Sequence, residues 1–165
     1  MNVLEGIFTR RSVRKFVTNK IEDEQIQVLI KAATWAPSGK NGQPWKFKII
    51  TDEEKIESIS HLSIYEDWMK KAPCFILVFL DKRISYHYVK DVQSCGAAIQ
   101  NILLAAHEMG IGSCWIGEIL AKENEVKQIS EITDDAYELM GIVVLGFEEN
   151  EAINVGRRDL NSFLL

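Results

Sequence analysis

Arginines near both ends of the sequence are the first residues that could do chemistry. Arg10, Ser12 and Arg14 alternate within RRSVRKF, and Arg157 and Arg158 are adjacent in GRRDL. In an extended segment, alternate side chains project to one side of the backbone. Two guanidinium groups and a hydroxyl on one side would match a phosphate or the polar edge of a ring. The same arginines could equally form a solvated basic turn after a helix and a solvated pair in the tail.

A polar loop lies between these arginine groups. The stretch APSGKNGQPW covers residues 36–45. Its glycines would let backbone N–H groups approach a ligand closely. It lacks the GKS/T ending of a phosphate-binding P-loop, and the chain has no GxGxxG. An ordinary connection between a helix and a strand would have similar composition, so both interpretations stay open. The residues that make this loop flexible and rich in donors and acceptors are Ser38, Gly39, Asn41, Gly42 and Gln43.

A second glycine-rich stretch, GIGSCWIGE, covers residues 110–118. It follows a long apolar-periodic segment that predicts a helix. Backbone N–H groups around Ile116 and Gly117 could face the edge of a flat ring. The alternative is a helix cap followed by a tryptophan of the core.

Length and charge limit the class of protein. The 165 residues correspond to one domain, residues 1–165, and the formal net charge is -5. An acidic chain lacks the basic surface that nucleic acids and membrane surfaces require, so we expect neither as a partner. The N-terminus does not resemble a signal peptide, and the apolar runs are too short to cross a bilayer. These features predict a cytoplasmic protein.

The cysteines and histidines predict neither a disulfide framework nor a metal site. The chain has three cysteines without CxxC spacing and three scattered histidines without HExxH spacing. This usage is typical of reduced thiols in a cytosolic protein. No residue set resembles a nucleophile with its base, so no catalytic side chain is predicted.

Helical and strand periodicities alternate along the chain. Apolar spacing and turn residues predict five principal helices and three strands. This mixture indicates an α+β fold, or an α/β fold with a small sheet. The predicted helices cover residues 3–10, 22–36, 51–62, 91–109 and 123–129, and the strands cover 45–51, 74–80 and 137–147.

In this order, the motifs resemble those of the nitroreductase family of FMN-dependent oxidoreductases. RRSVRKF resembles the family's R-x-S-x-R/K-x-F opening, and APSGKNGQPWKF its P-S-x-x-N-x-Q-P-W-x-F loop. The stretch ending in GIGSCWIG is similar to its G-x-G-S-x-W-I-G segment. LMGIVVLGF resembles its last core strand, and GRRDL its phosphate-binding tail.

This resemblance implies a central, mostly antiparallel sheet flanked by helices and an intertwined homodimer with FMN at the interface. NADH or NADPH would reduce FMN in a ping-pong reaction, and a nitroaromatic or a quinone would be the acceptor. Arg10 and Ser12 would hold the phosphate and ribityl end, and Arg14 would tune the flavin near N1. Arg157 and Arg158 would close on the phosphate. The partner's FMN would contact Pro37, Ser38, Gly39, Asn41 and Gln43, whereas Ile116 and Gly117 would face N5 and the C4 carbonyl.

The sequence also departs from the family pattern. It is short, which implies a more open flavin, and Gly39 stands where many members carry a second serine. A non-catalytic flavin-binding or sensor module of the same fold is therefore the alternative. Trp68, Tyr86 and Tyr88 could line the substrate face or pack in the core.

Overall fold

Five strands form one sheet in the computed structural model, which describes residues 2–150 and 156–165. The strands are β1 (Phe16–Val17), β2 (Trp45–Ile50), β3 (Cys74–Asp81), β4 (Gly112–Ile116) and β5 (Tyr137–Glu148). The α-helices are α1 (Val3–Thr9), α2 (Asp23–Thr34), α3 (Glu53–Ser60), α4 (Glu66–Met69), α5 (Tyr88–Glu108) and α6 (Glu123–Ile129). Short 3-10 helices cover Gly39–Asn41, Glu118–Lys122 and Leu160–Phe163.

The sheet is organised around β5, the longest strand. One edge of β5 pairs with β3, which pairs in turn with β2, and the other edge pairs with both β1 and β4. Each of these ladders is antiparallel. The predicted α+β class, with a mostly antiparallel sheet flanked by helices, is therefore confirmed.

The middle of the sheet is the most buried part of the fold. Every residue of β3 is buried, as its continuous apolar sequence predicts. Because side chains alternate along a strand, Ile76 and Val78 face one core and Phe75 and Leu77 the other. The first core is completed by α2 and α5, and the second by α3, α4 and α6, so helices cover both faces.

Several predicted element boundaries change. Two strands were not predicted, because β1 has only two residues and β4 has only five within a glycine-rich stretch. Helix α3 begins after Asp52, whose carboxylate accepts the Lys55 N–H at 2.9 Å, rather than after a cap at Thr51. The long helix begins at Tyr88, not at Asp91, whereas α6 has its predicted limits.

Helix α1 buries only Gly6, although its apolar residues have helical spacing. Its apolar side chains are exposed, with 75 % of Val3 accessible to solvent. Within the ranges described, no helix combines the length and apolarity needed to cross a membrane.

Candidate functional site

The segment after α1 runs alongside β4 and carries three of the predicted ligand-binding residues. Ser12 forms a parallel bridge to Ser113, and the Val13 N–H donates to the Ser113 carbonyl at 3.0 Å. This extended pairing produces the expected alternation, because Val13 is buried against the core while its neighbours face the other way.

Cys114 shows that the alternating residues share one side. Burial raises the pKa of its thiol, whereas Arg14, a hydrogen bond with Ser12 and Arg10 act in the opposite direction. All three predicted side chains are thus close enough to act on one buried sulfur. Cys114 was not predicted as part of the site, since a single cysteine after a serine carries no distinctive pattern.

Arg10 has an unusual environment. Its Nη1 is buried and has no hydrogen-bond partner among the residues described. Burial, followed by the charges of Arg157 and Arg11, lowers the pKa of its guanidinium, and Cys114 opposes this shift. A buried donor without an acceptor is costly, and neighbouring like charges add to that cost. The arrangement is suited to an anion that accepts from Arg10 and neutralises the cluster.

The two C-terminal arginines lie in different surroundings. Arg157 acts electrostatically on Arg10, so the structure brings together the two ends of the chain. Arg158 instead places its guanidinium 4.7 Å from the ring centre of Phe163, a cation–π contact. Of the pair, Arg157 is the residue that joins the cluster around Arg10.

A cavity of about 450 Å³ adjoins this cluster. Its wall includes Arg10, Arg11, His107 and the start of β4 at Gly112 and Ser113. Ser12 and Arg14 are not among its lining residues. The cavity therefore borders the arginine cluster and does not contain all of it.

Ile116 and Gly117, the residues predicted to face a flat ring, lie at the C-terminal end of β4. Ile116 is buried, and Gly117 follows it at the surface. A Cβ placed on Gly117 would meet nothing within 4 Å, so there is open space beside this backbone. The geometry permits close approach of a flat ring to residues 116–117.

The loop after α2 is polar, exposed and strained. Lys40, Asn41 and Gln43 have φ angles of 54°, 55° and 47°, in the region that usually favours glycine. The loop is held from within, because Ser38 Oγ accepts the Gln43 N–H at 3.1 Å and the Asn41 carbonyl accepts from Gln43 Nε2 at 3.2 Å. Such strain is typical of ligand-contacting segments.

Within one chain, the loop and the arginine cluster lie at opposite corners of the sheet. The strand order β2-β3-β5-β4 puts them at opposite edges, about 14 Å apart at ordinary strand spacing. The loop enters β2 beside Leu80, whereas Ser113 is in register with Leu145 and Cys74, about 20 Å along the strands. The structure therefore groups Arg10, Ser12, Arg14 and Arg157 but leaves residues 37–43 apart from them.

Across residues 2–150 and 156–165, no group of three or more histidine, cysteine or acidic side chains is placed to hold a metal ion.

Comparisons with known proteins agree with the sequence motifs. The nitroreductase family model matches residues 7–65 and 60–147. An Archaeoglobus fulgidus protein named "Putative NADH dehydrogenase/NAD(P)H nitroreductase" is 37% identical over 151 residues, covering 90% of this chain and 86% of its own.

Solved structures extend the similarity to three dimensions. The crystal structure of a "putative nitroreductase in complex with FMN" from Desulfovibrio desulfuricans superimposes with a TM-score of 0.94 and 33% identity, covering 100% of this chain and 96% of its own. An FMN-dependent nitroreductase from Clostridium difficile R20291 gives a TM-score of 0.85 with 25% identity, covering 99% and 97%.

Proposed function

Because the chain belongs to the nitroreductase family and is an FMN-dependent NAD(P)H oxidoreductase, we propose that it reduces nitroaromatics or quinones by a ping-pong reaction. We also propose that residues 1–165 act as one domain and that two copies assemble around each FMN. The observation that carries the site assignment is the buried Nη1 of Arg10, which has no hydrogen-bond partner among the described residues and is near the charge of Arg157.

The residues present fit FMN. A phosphate would supply acceptors to the unpaired Arg10 donor and would neutralise the charges that lower the pKa of Arg10. Ser12 offers a hydroxyl on the same side of the segment. The open space beside Gly117 suits a flat ring reached from the same strand.

Each group in this chain has a distinct part in binding. Arg10, Ser12, Arg157 and Arg158 would hold the phosphate and ribityl end. Arg14 would supply a positive charge near the N1 edge of the ring. The backbone at Ile116 and Gly117 would face the N5 and C4-carbonyl edge. When bound, FMN supplies the hydride chemistry between donor and acceptor, so the chain needs no nucleophilic side chain.

Two observations support the homodimer: the separation of residues 37–43 from the arginine cluster within one chain, and the exposed apolar surface. Since Pro37, Ser38, Gly39, Asn41 and Gln43 lie apart from the arginine cluster, they would reach the FMN held by the other copy. Apolar side chains that a monomer would leave in water are available to cover that interface. They include Val3, Leu4 and Phe8 of α1 and Leu160, Phe163 and Leu164 of the tail.

An absorbance experiment tests the function directly. The purified protein is mixed with FMN, desalted and examined for flavin bands, and NADH or NADPH is then added without oxygen. Bands that survive desalting and bleach would support the proposal and identify the better donor. Bands that persist with both donors would favour a flavin-binding module without turnover. A colourless protein would contradict the site assignment.

A further inference from the structure

Tyr86 lies directly against the loop that contains Gly39. A Cβ built on Gly39 would collide with the Tyr86 hydroxyl and would lie 2.6 Å from its Cε1. In this position of the ring, a side chain at residue 39 would require Tyr86 to move. The glycine that replaces the family's second serine is therefore matched to the tyrosine that packs on it.

Buried Asp91 fixes the segment that carries this tyrosine. One oxygen of its carboxylate accepts the Ser85 hydroxyl at 2.7 Å, the Tyr86 N–H at 3.0 Å and the His87 N–H at 3.1 Å. Asp91 is 1% exposed, so these three hydrogen bonds are shielded from water. The backbone of Tyr86 is thereby held, while 41% of the residue remains exposed.

Two lysines place positive charge close to the Tyr86 ring. Lys40 Nζ is 4.7 Å and Lys90 Nζ is 5.7 Å from its centre. In the part of the chain that the structure describes, neither ammonium group forms an ion pair. The neighbouring carboxylates have other partners: Asp91 accepts from its own segment, and Glu138 accepts from the Tyr88 hydroxyl at 2.7 Å.

We propose that Tyr86, Lys40 and Lys90 form one wall of the acceptor site and favour planar acceptors that carry a negative charge. The ring provides an apolar surface of fixed position, and the two lysines attract an anionic substituent at its edge. This inference rests on the proposed function, in which residues 37–43 meet the FMN of the other copy.

Matched acceptors test it in the FMN-loaded enzyme. Para-nitrobenzoate and para-nitrobenzamide have similar shapes and differ in charge, and the ratio of their kcat/KM values is the measured quantity. We expect the Lys40→Gln/Lys90→Gln double variant to lower this ratio about fivefold, since each exposed pair contributes modestly. High salt should also lower the kcat/KM ratio of the wild type, because it screens the lysine charges. Tyr86→Phe should keep the ratio, whereas Tyr86→Leu should raise KM for both acceptors.

Lys20→Gln is the control for removal of a lysine charge elsewhere on the chain. Lys20 lines a separate cavity of about 580 Å³ beside Pro73, at the opposite end of β3 from Asp81. That strand spans roughly 25 Å, so the Lys20 charge should not influence the ratio.

An unchanged ratio in the double lysine variant would overturn the proposal. So would a change confined to flavin reduction by NADH or NADPH, because the lysines would then serve the donor. Failure of the proposed function itself is seen separately, as protein without flavin bands or with bands that no donor bleaches.

Discussion

Arg10 and Arg11 are neighbours in the sequence but have different surroundings. Nη1 of Arg11 donates to the carbonyls of Phe8 and Arg10, each at 2.7 Å, so this guanidinium fastens the end of α1. Nη1 of Arg10 is buried without a partner among the described residues. Arg11 thus stabilises the chain itself, whereas Arg10 is the residue that we propose binds the phosphate.

The two arginines should therefore respond in opposite ways to substitution by methionine. Arg10→Met should raise the FMN dissociation constant at least ~10-fold, the value of a lost charged hydrogen bond, without lowering apoprotein stability. Arg11→Met should lower apoprotein stability by about 1 kcal/mol and affect FMN binding less. Flavin fluorescence titration and urea unfolding of the apoproteins measure both quantities. Equal FMN binding by the Arg10 variant and wild type would contradict the assignment.

Arg14 should act on the flavin potential as well as on affinity. Arg14→Ala removes a permanent cation from the site, so FMN should bind about 10-fold more weakly and the reduction potential of the bound flavin should fall. Arg14→Lys keeps the charge and should restore most of the potential. Anaerobic titration against a reference dye measures it, and an unchanged potential in the alanine variant would contradict this role.

At this scale, the sequence predicted the alternation of Arg10, Ser12 and Arg14, because extended backbone has period two. It did not predict which C-terminal arginine joins Arg10, since the path of the tail depends on long-range packing. It named Tyr86 as a residue that could line the substrate face or pack in the core, but it did not predict the contact of Tyr86 with Gly39. That contact joins two segments far apart in the chain.

Among the elements, β4 and β5 contact each other through Trp115 of β4, which packs against Gly141 of β5. Gly141 has a φ of +150°, and a Cβ there would lie 2.5 Å from Trp115 Nε1. It sits where the register between β3 and β5 shifts, between Val78 and Phe79. The irregularity gives the indole a place against the sheet beside Ile116.

Gly141→Ala should accordingly be one of the most damaging small substitutions in the sheet. It combines an unfavourable φ with overpacking against Trp115, so we expect a loss of about 2 to 4 kcal/mol in unfolding free energy. Gly117→Ala is the matched control for stability, because nothing lies within 4 Å of its added methyl group. Urea unfolding of both variants measures the difference, and similar losses would contradict the steric explanation.

Element prediction succeeded where the local residue pattern was sufficient and failed where pairing with other strands decided the structure. The buried strand β3 and helix α6 follow from their own residues. By contrast, β1 and β4 exist through their partners on β5, and no local pattern distinguishes them from loops. Both Thr51 and Asp52 are residue types that cap helices, but Asp52 is the residue directly before α3 and is therefore its N-cap.

For the whole molecule, the loop lies apart from the arginine cluster, and under the proposed dimer this separation would make FMN binding depend on assembly. We therefore expect dilution or an interface substitution that gives monomers to release FMN. Phe8→Glu is suitable, because Phe8 is exposed on α1 and its replacement should not disturb the core. Analytical ultracentrifugation at flavin and protein wavelengths measures both properties together. A monomer that keeps stoichiometric FMN would contradict the shared site.

The pairing of Gly39 with Tyr86 also constrains how this protein could have diverged from its relatives. A side chain at position 39 and the Tyr86 ring in its present position would occupy the same volume, so a larger residue at 39 requires the ring to move. Relatives with serine at the first position should more often carry a small residue at the second. The two sites should therefore covary across the family.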